Sequence, residues 1–347
     1  MLYLLAKILG EYYGPFRLLT SHMFLITVGM SGCFFLTWYM LPKCFKFLPV
    51  DRGRDHSIES AESKGKPTSA GLVFISISVL VSLLVIPTGY KQVTILVLTM
   101  FTMIAGLLDD LHSWHEYKKG IIDLAIALVA SLVLLSGSEP VIWLPFTKEL
   151  FHPSPIVYIV IATLIIWTTI NITNCSDGVD GLSATMVIFA LIGIGSFLYL
   201  IAGHIVVSKY LLIPYSPQSP GWAIMIFTFA GGIAGYLWYN AFPAQCLMGD
   251  TGARTLGFIV GVAVIISGNP VLMLLVCSVM FANGGVGLVK VALLRFLGIS
   301  IFKNIRFPLH DHFRQVKNWS STQVLIRFAL IQVLLTILLL GIMIKVR

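Results

Sequence analysis

Continuous apolar runs dominate this chain. A membrane-crossing helix needs about 20 mostly apolar residues. Ten runs come close to that length, at 19–41, 70–88, 92–108, 120–137, 155–173, 182–203, 222–239, 255–268, 270–294 and 323–344. The eighth is short, which predicts a segment tilted into its neighbours or not fully spanning. None of the runs alternates apolar and polar positions, so a transmembrane β-barrel is excluded. No internal repeat is visible, and an inverted-repeat transporter finds no support. The pattern predicts an all-α polytopic integral membrane protein of ten transmembrane helices, built as a single domain over residues 1–347.

Composition closes the alternatives. Apolar residues make up 57% of the chain and charged residues 11%, against roughly 45–50% and about 25% in soluble domains. A soluble surface cannot be built from so few charges. The net charge of +8 comes without a basic helix or an aromatic platform, so no nucleic-acid partner is expected. Positive loops against an anionic bilayer surface account for it. The five cysteines, Cys33, Cys44, Cys175, Cys246 and Cys277, form no CxxC pair, so neither a zinc framework nor a disulfide framework is expected. Lys7 and Glu11 lie near the N-terminus with no small-residue cleavage site, so no cleavable signal peptide is expected.

Charge in the connecting segments predicts orientation. One set holds Lys43, Lys46, Arg52, Arg54, Lys64, Lys66, Lys118, Lys119, Arg254, Arg295, Lys303, Arg306, Arg314 and Lys317, fourteen cations. The other set, with the termini, holds seven: Lys7, Arg17, Lys91, Lys148, Lys209, Lys345 and Arg347. The first set is therefore expected in the cytoplasm and both termini outside. Acids divide more sharply. Asp51, Asp55, Glu59, Glu62, Asp109, Asp110, Glu116, Asp123, Asp177, Asp180, Asp250 and Asp311 fall in or beside the first set, and only Glu11, Glu139 and Glu149 in the second. Polar residues from five segments converging on one face predict an active site at the cytoplasmic surface.

Four motifs carry candidate chemistry. Asp109 and Asp110 end an apolar helix, where the macrodipole disfavours negative charge, so the pair needs a compensating cation. Mg²⁺ or a basic side chain would serve. His112 and His115 beside Asp109 leave a zinc reading open, although a third strong ligand is missing. In NITNCSDGVDGL, Asn171, Asn174, Asp177 and Asp180 recur every three residues. On a helix they would wind round the end of the fifth span; as a plain loop they would be turn residues. Asp250 stands in a Gly-flanked GDTG, which also suits a capped helix start. His310-Asp311-His312, beside Arg306 and Arg314, could bind phosphate or metal, or be an ordinary polar loop. A fifth and weaker signal, Lys64 and Lys66 beside Pro67 and Gly71 in SKGKPTSAG, would suit an anion-contacting strip.

Taken in order, LLAKILGEYY, PTSAG, the acidic pair, NITNCSDGVDGL, YNAFPAQCLMGD, PLHDHF and the terminal KVR resemble the polyprenyl-phosphate N-acetylhexosamine-1-phosphate transferase superfamily, and within it the phospho-N-acetylmuramoyl-pentapeptide transferases. The likeness covers nearly the whole chain. It implies ten transmembrane helices with both termini outside the bacterial cytoplasmic (inner) membrane. It implies transfer of phospho-N-acetylmuramoyl-pentapeptide from UDP-N-acetylmuramoyl-pentapeptide to undecaprenyl phosphate, giving lipid I and UMP, with Mg²⁺. Those substrates and the lipid bilayer are the implied partners, and a homodimer is left open. By position, the resemblance implies catalytic roles for Asp109, Asp110 and Asp250, and metal binding by Asp250 and Asp177. It implies substrate contacts for Lys64, Lys119, Asn171, Asn174, Asp177, Asp180, Asn240, Leu247, His310 and His312.

The chain departs from the family pattern at four positions. Asp311 replaces a middle histidine, Ser113 a lysine, Leu247 a phenylalanine near the uracil site, and Asn283 an acid. These departures keep two other readings in play: a transferase for another UDP-N-acetylhexosamine, and an inactive lipid-carrier-binding paralogue. A secondary transporter is disfavoured, because the acids sit at helix ends rather than at mid-membrane.

Overall fold

The computed structural model describes residues 2–9, 12–51, 53, 64–87, 89–144, 147 and 149–345. Of the charges counted above, Glu11, Arg52, Arg54, Asp55, Glu59, Glu62, Lys148 and Arg347 lie outside the described residues.

All ten apolar runs are helical. The helices are α1 Leu2–Leu9, α2 His22–Cys44, α3 Gly71–Val85, α4 Tyr90–His112, α5 Glu116–Leu135, α6 Pro155–Ser176, α7 Leu182–Phe197, α8 Ile205–Tyr210, α9 Ser219–Asn240, α10 Gly249–Ile266, α11 Leu272–Val276, α12 Val286–Leu297, α13 Leu309–Lys317 and α14 Ser321–Lys345. Among the described residues, eight helical segments are long and apolar enough to cross a membrane. Two expected spans fall short of that standard for visible reasons. Helix α3 has only 15 residues, and α5 opens with Glu116, Lys118, Lys119 and Asp123. The short helices α1, α8 and α13 were not expected from the apolar runs. The only strands among the described residues are β1 Ile142–Trp143 and β2 Leu150–Phe151, paired antiparallel.

Helix α10 is the axis of the bundle. Its span is 94% buried, and it packs chiefly on α6 and α4, with α3 and α7 completing the ring. Lipid tails are as apolar as leucine, so close backbone approach drives such packing more than the hydrophobic effect does. Gly106 on α4 shows the device. A Cβ there would collide with the backbone of Asp250 and Thr251. The missing side chain lets the acidic end of α4 lie against the first turn of α10. At the far end, Trp143 Nε1 donates to Ser267 O at 3.0 Å and closes the other terminus of α10.

The eighth apolar run forms α10, which is longer than expected. It starts at Gly249 rather than at residue 255 and takes Asp250 and Arg254 inside. The ninth run is not one helix. Helix α11 stops before Cys277, a short turn Ser278–Met280 follows, and a π turn Phe281–Gly285 leads into α12. Breaks in a membrane helix need their freed backbone groups satisfied from elsewhere. Gln332 of α14 does this. Its Oε1 accepts from Val279 N at 2.9 Å and from Ser278 Oγ at 3.3 Å, and its Nε2 donates to Leu275 O at 3.1 Å.

Candidate active site

The two acids that end α4 have different surroundings. Asp110 accepts from the backbone N–H groups of Asp250 (2.8 Å) and Thr251 (3.1 Å), from Thr251 Oγ1 (2.6 Å) and from Ser69 Oγ (2.7 Å). Its carboxylate therefore caps α10, at the helix end that carries free donors and positive dipole. Asp109 faces cations instead. Its Oδ2 lies 2.8 Å from Lys119 Nζ and 3.4 Å from Arg254 Nη1, while Oδ1 accepts from Trp114 N at 2.9 Å. The local chain path explains how Lys119 gets there. Helix α4 ends at Ser113 in the left-handed region, with φ 50°. The chain reverses, His115 caps α5, and the first turn of α5 brings Lys119 back over Asp109.

Lys119 also reaches Asp250 Oδ2 at 3.3 Å, so one ammonium bridges acids from α4 and α10. Behind it, the buried Arg254 donates from Nε (3.2 Å) and Nη2 (2.6 Å) to Asp123 Oδ1. The acidic pair thus finds the positive compensation that its position demands within the protein: Lys119 and Arg254 for Asp109, and the α10 terminus for Asp110. Asp109, Asp110, Asp123 and Asp250 against Lys119 and Arg254 leave a formal charge of −2.

A cavity of about 1080 Å³ opens on this cluster. Of the residues expected to serve the site, Lys64, Asp109, Asp110, Lys119, Asn174 and Asp250 line it, together with Ser113. Asn171, Asp177, Asp180, Asn240, Leu247, His310 and His312 do not. The three-residue spacing of the Asn/Asp motif is not helical throughout. Helix α6 stops at Ser176, Asp177 is its C-cap, and Gly181 at φ 75° starts α7. Asn171 turns its Nδ2 to Trp167 O at 2.8 Å. Asp180 accepts from Ala244 N at 2.8 Å; Asn240 accepts from Gly181 N and donates to Cys246 O, both at 2.9 Å. These two side chains fasten the 177–181 turn to the 241–248 segment. Leu247 is held through its backbone, with its N–H on Pro67 O at 2.8 Å and its carbonyl accepting from Ala70 N at 3.0 Å.

Helix α13 lies against the same turn. A Cβ at Gly178 would strike His310 Nε2, so glycine there admits the imidazole. Asn283, on the π turn, accepts from His310 N at 2.9 Å and pairs with its Nδ1 at 3.1 Å. Burial, with the Arg314 cation adding, holds the His310 imidazole down to about 4, so at neutral pH it is uncharged and donates from Nδ1. Burial pushes the Asp311 carboxyl up, against the pull of Arg306 and Arg314. His312 Nδ1 accepts from Arg306 N at 3.4 Å.

The cluster's donors are carboxylate oxygens, which suit a hard cation. His112 and His115 each use Nδ1 locally, on Leu108 O at 3.0 Å and on Tyr117 N at 3.4 Å, and neither lines the cavity. Among the described residues no three His, Cys, Asp or Glu side chains are grouped to hold a metal. Mg²⁺ asks for less, taking one or two carboxylates and completing its shell with substrate phosphates and water. Asp109 and Asp250, already sharing one ammonium, meet that requirement.

Asp123 and Arg254 were read from sequence as charges beside loops and given no role in the site. The spacing held a signal. Lys119 and Asp123, like Asp250 and Arg254, are four residues apart and so share a helix face. Charges that enter an apolar run usually do so as partners.

Comparison with known proteins agrees with the arrangement. Residues 92–268, which include both halves of the Asp109–Lys119–Asp250 cluster, match glycosyl transferase family 4. A phospho-N-acetylmuramoyl-pentapeptide-transferase of Treponema pallidum is 43% identical over 98% of this chain and 95% of its own length. The enzyme of that name from Wolinella succinogenes is 32% identical over 90% of this chain and 93% of its own. One from Campylobacter lari is 29% identical over 92% and 96%. The chain belongs to glycosyl transferase family 4 and, within its relatives, to the phospho-N-acetylmuramoyl-pentapeptide transferases.

Proposed function

We propose that this enzyme transfers phospho-N-acetylmuramoyl-pentapeptide from its UDP-activated form to undecaprenyl phosphate, giving lipid I and UMP, with Mg²⁺, at the cytoplasmic face of the bacterial inner membrane. The observation that carries the reading is Lys119 bridging Asp109 and Asp250 at the floor of a wide cavity in an apolar bundle. A soluble nucleotide sugar and a lipid phosphate can both reach such a place.

In this reaction an oxygen of the lipid monophosphate attacks the β-phosphorus of the UDP-sugar. The bond from that phosphorus to the bridging oxygen breaks, and UMP leaves with the electron pair. Monophosphates lose their second proton near pH ~6, so the nucleophile needs little help from a base. The protein's work is positioning and charge stabilisation. Lys64 and Lys119 meet the phosphates, and Lys119 exchanges its carboxylates for a phosphate oxygen. Asp109 and Asp250 would hold the cation, which would supply positive charge toward the departing UMP phosphate. Asp110, fully used in capping α10, fixes Asp250 in place. His312 is assigned to anionic parts of the substrates, while the buried, neutral His310 on the same helix positions the 177–181 turn.

The test is UMP release by purified protein given undecaprenyl phosphate, Mg²⁺ and a panel of UDP-sugars. Turnover with the muramoyl-pentapeptide donor is expected. Turnover only with another UDP-N-acetylhexosamine reassigns the enzyme to a different polymer, and none with any donor sinks the reading.

A further inference from the structure

We propose that Asp123 and Arg254 are a built-in charge regulator of the active site: a buried pair that sets the negative charge Asp109 and Asp250 present to a divalent cation, and so how tightly that cation is held. The proposal rests on the cation reading above and gives it a quantitative control.

The geometry is asymmetric. Arg254 gives its two shorter bonds to Asp123, at 2.6 and 3.2 Å, and only a 3.4 Å contact to Asp109. Side-chain exposure is 1% for Arg254, 3% for Asp123 and 1% for Asp109. With so little water around them, none of these charges is well screened. Arg254 lies one helical turn beyond Asp250 on α10, and Asp123 one turn beyond Lys119 on α5. The pair is therefore an inner layer of opposite charges directly behind the outer layer that faces the cavity. As long as Asp123 engages most of the guanidinium, Asp109 keeps its charge for Lys119 or for an incoming cation. Without Asp123, the guanidinium would turn wholly on Asp109 and compete with the cation. Without Arg254, Asp123 would add its own negative charge to the site.

A merely structural pair and a charge-setting pair predict different signs. If Asp123 and Arg254 only clamp α5 to α10, removing either weakens everything alike. If they set charge, the two neutral variants move cation affinity in opposite directions. The measurement is Mn²⁺ binding to detergent-purified protein without substrates, followed by the electron paramagnetic resonance of free Mn²⁺. Asp123→Asn should weaken binding and Arg254→Gln should tighten it, each by about tenfold, the scale of one partly screened unit charge a short distance away. Asp123→Asn/Arg254→Gln, which restores the formal charge and keeps hydrogen-bonding groups, should return close to the unvaried protein. Where one single variant fails to fold, the other is read against the double variant, and the proposal requires the same tenfold difference between those two. Shifts of the same sign in both single variants, no shift, or a double variant that stays far from the unvaried affinity would overturn the proposal. A separate outcome marks the parent reading: if the unvaried protein takes up no Mn²⁺, or Asp250→Ala takes up as much, the cation assignment itself falls and this regulator falls with it.

Discussion

Asp109 and Asp110 are chain neighbours with opposite employment, and substitution should separate them. Asp110→Ala strips three hydrogen bonds from the start of α10 and a fourth from Ser69. It should cost about 3 kcal/mol of stability, a lost cap plus unpaired buried donors, and show as a lower melting temperature. Asp109→Asn leaves Lys119 on Asp250 and Arg254 on Asp123. It should melt like the parent yet release UMP at least ~100-fold more slowly, the scale of one lost electrostatic group. His310 makes a pH prediction. Its folded value, near 4 against an ordinary 6.5, means the unfolded chain binds the proton first. Stability should therefore fall as pH drops from about 6.5 to about 4, by up to about 3 kcal/mol, and level off below. A melting-temperature series should show that slope in the parent and lose most of it in His310→Gln. The acidic pair was legible in the sequence, but its division of labour was not. Asp110's main partner stands 140 residues away, and no local pattern states which of two adjacent carboxyls will meet it.

At the scale of elements, the ten helical runs could be read because continuous hydrophobicity is a strong signal. That signal fails where charge enters a helix and where a break is itself apolar. Helix α10 was started six residues late, since Asp250 and Arg254 look like loop until their partners on α4 and α5 are known. The break after α11 was missed for the converse reason: Cys277 to Gly285 is apolar enough to pass as helix, and the residue that makes the break tolerable, Gln332, lies on α14. This gives an element-level test. Gln332→Leu would strand the Val279 N–H and remove a donor from Leu275 O inside the bundle. It should cost about 2 kcal/mol by the usual penalty for a buried unpaired group. A melting temperature equal to the parent's would mean the break is satisfied some other way.

For the whole molecule, two ends can be told apart. The Asp109–Lys119–Asp250 cavity draws on the segments between α2 and α3 and between α4 and α5, on the last turn of α6 and on the first turn of α10, while Tyr90, Lys91, Gly137 and Gln218 gather at a separate small pocket at other helix ends. Cysteines engineered near Lys209 or Ser138 should be labelled from outside intact cells, and one at Lys64 should be spared; the reverse pattern would invert the protein. Such a sorting of loops was visible from charge alone, whereas the hinge of the site was not. That hinge is Lys119. A basin of carboxylates left to itself would repel its own walls and scavenge any stray metal. Because the fold supplies a tethered ammonium across Asp109 and Asp250, the idle enzyme carries its own placeholder. Chelators should silence turnover while leaving the melting temperature where it was. On the proposed reading, cation loading would be a swap of positive charges rather than an addition, so the carboxylates would stay compensated before and after it.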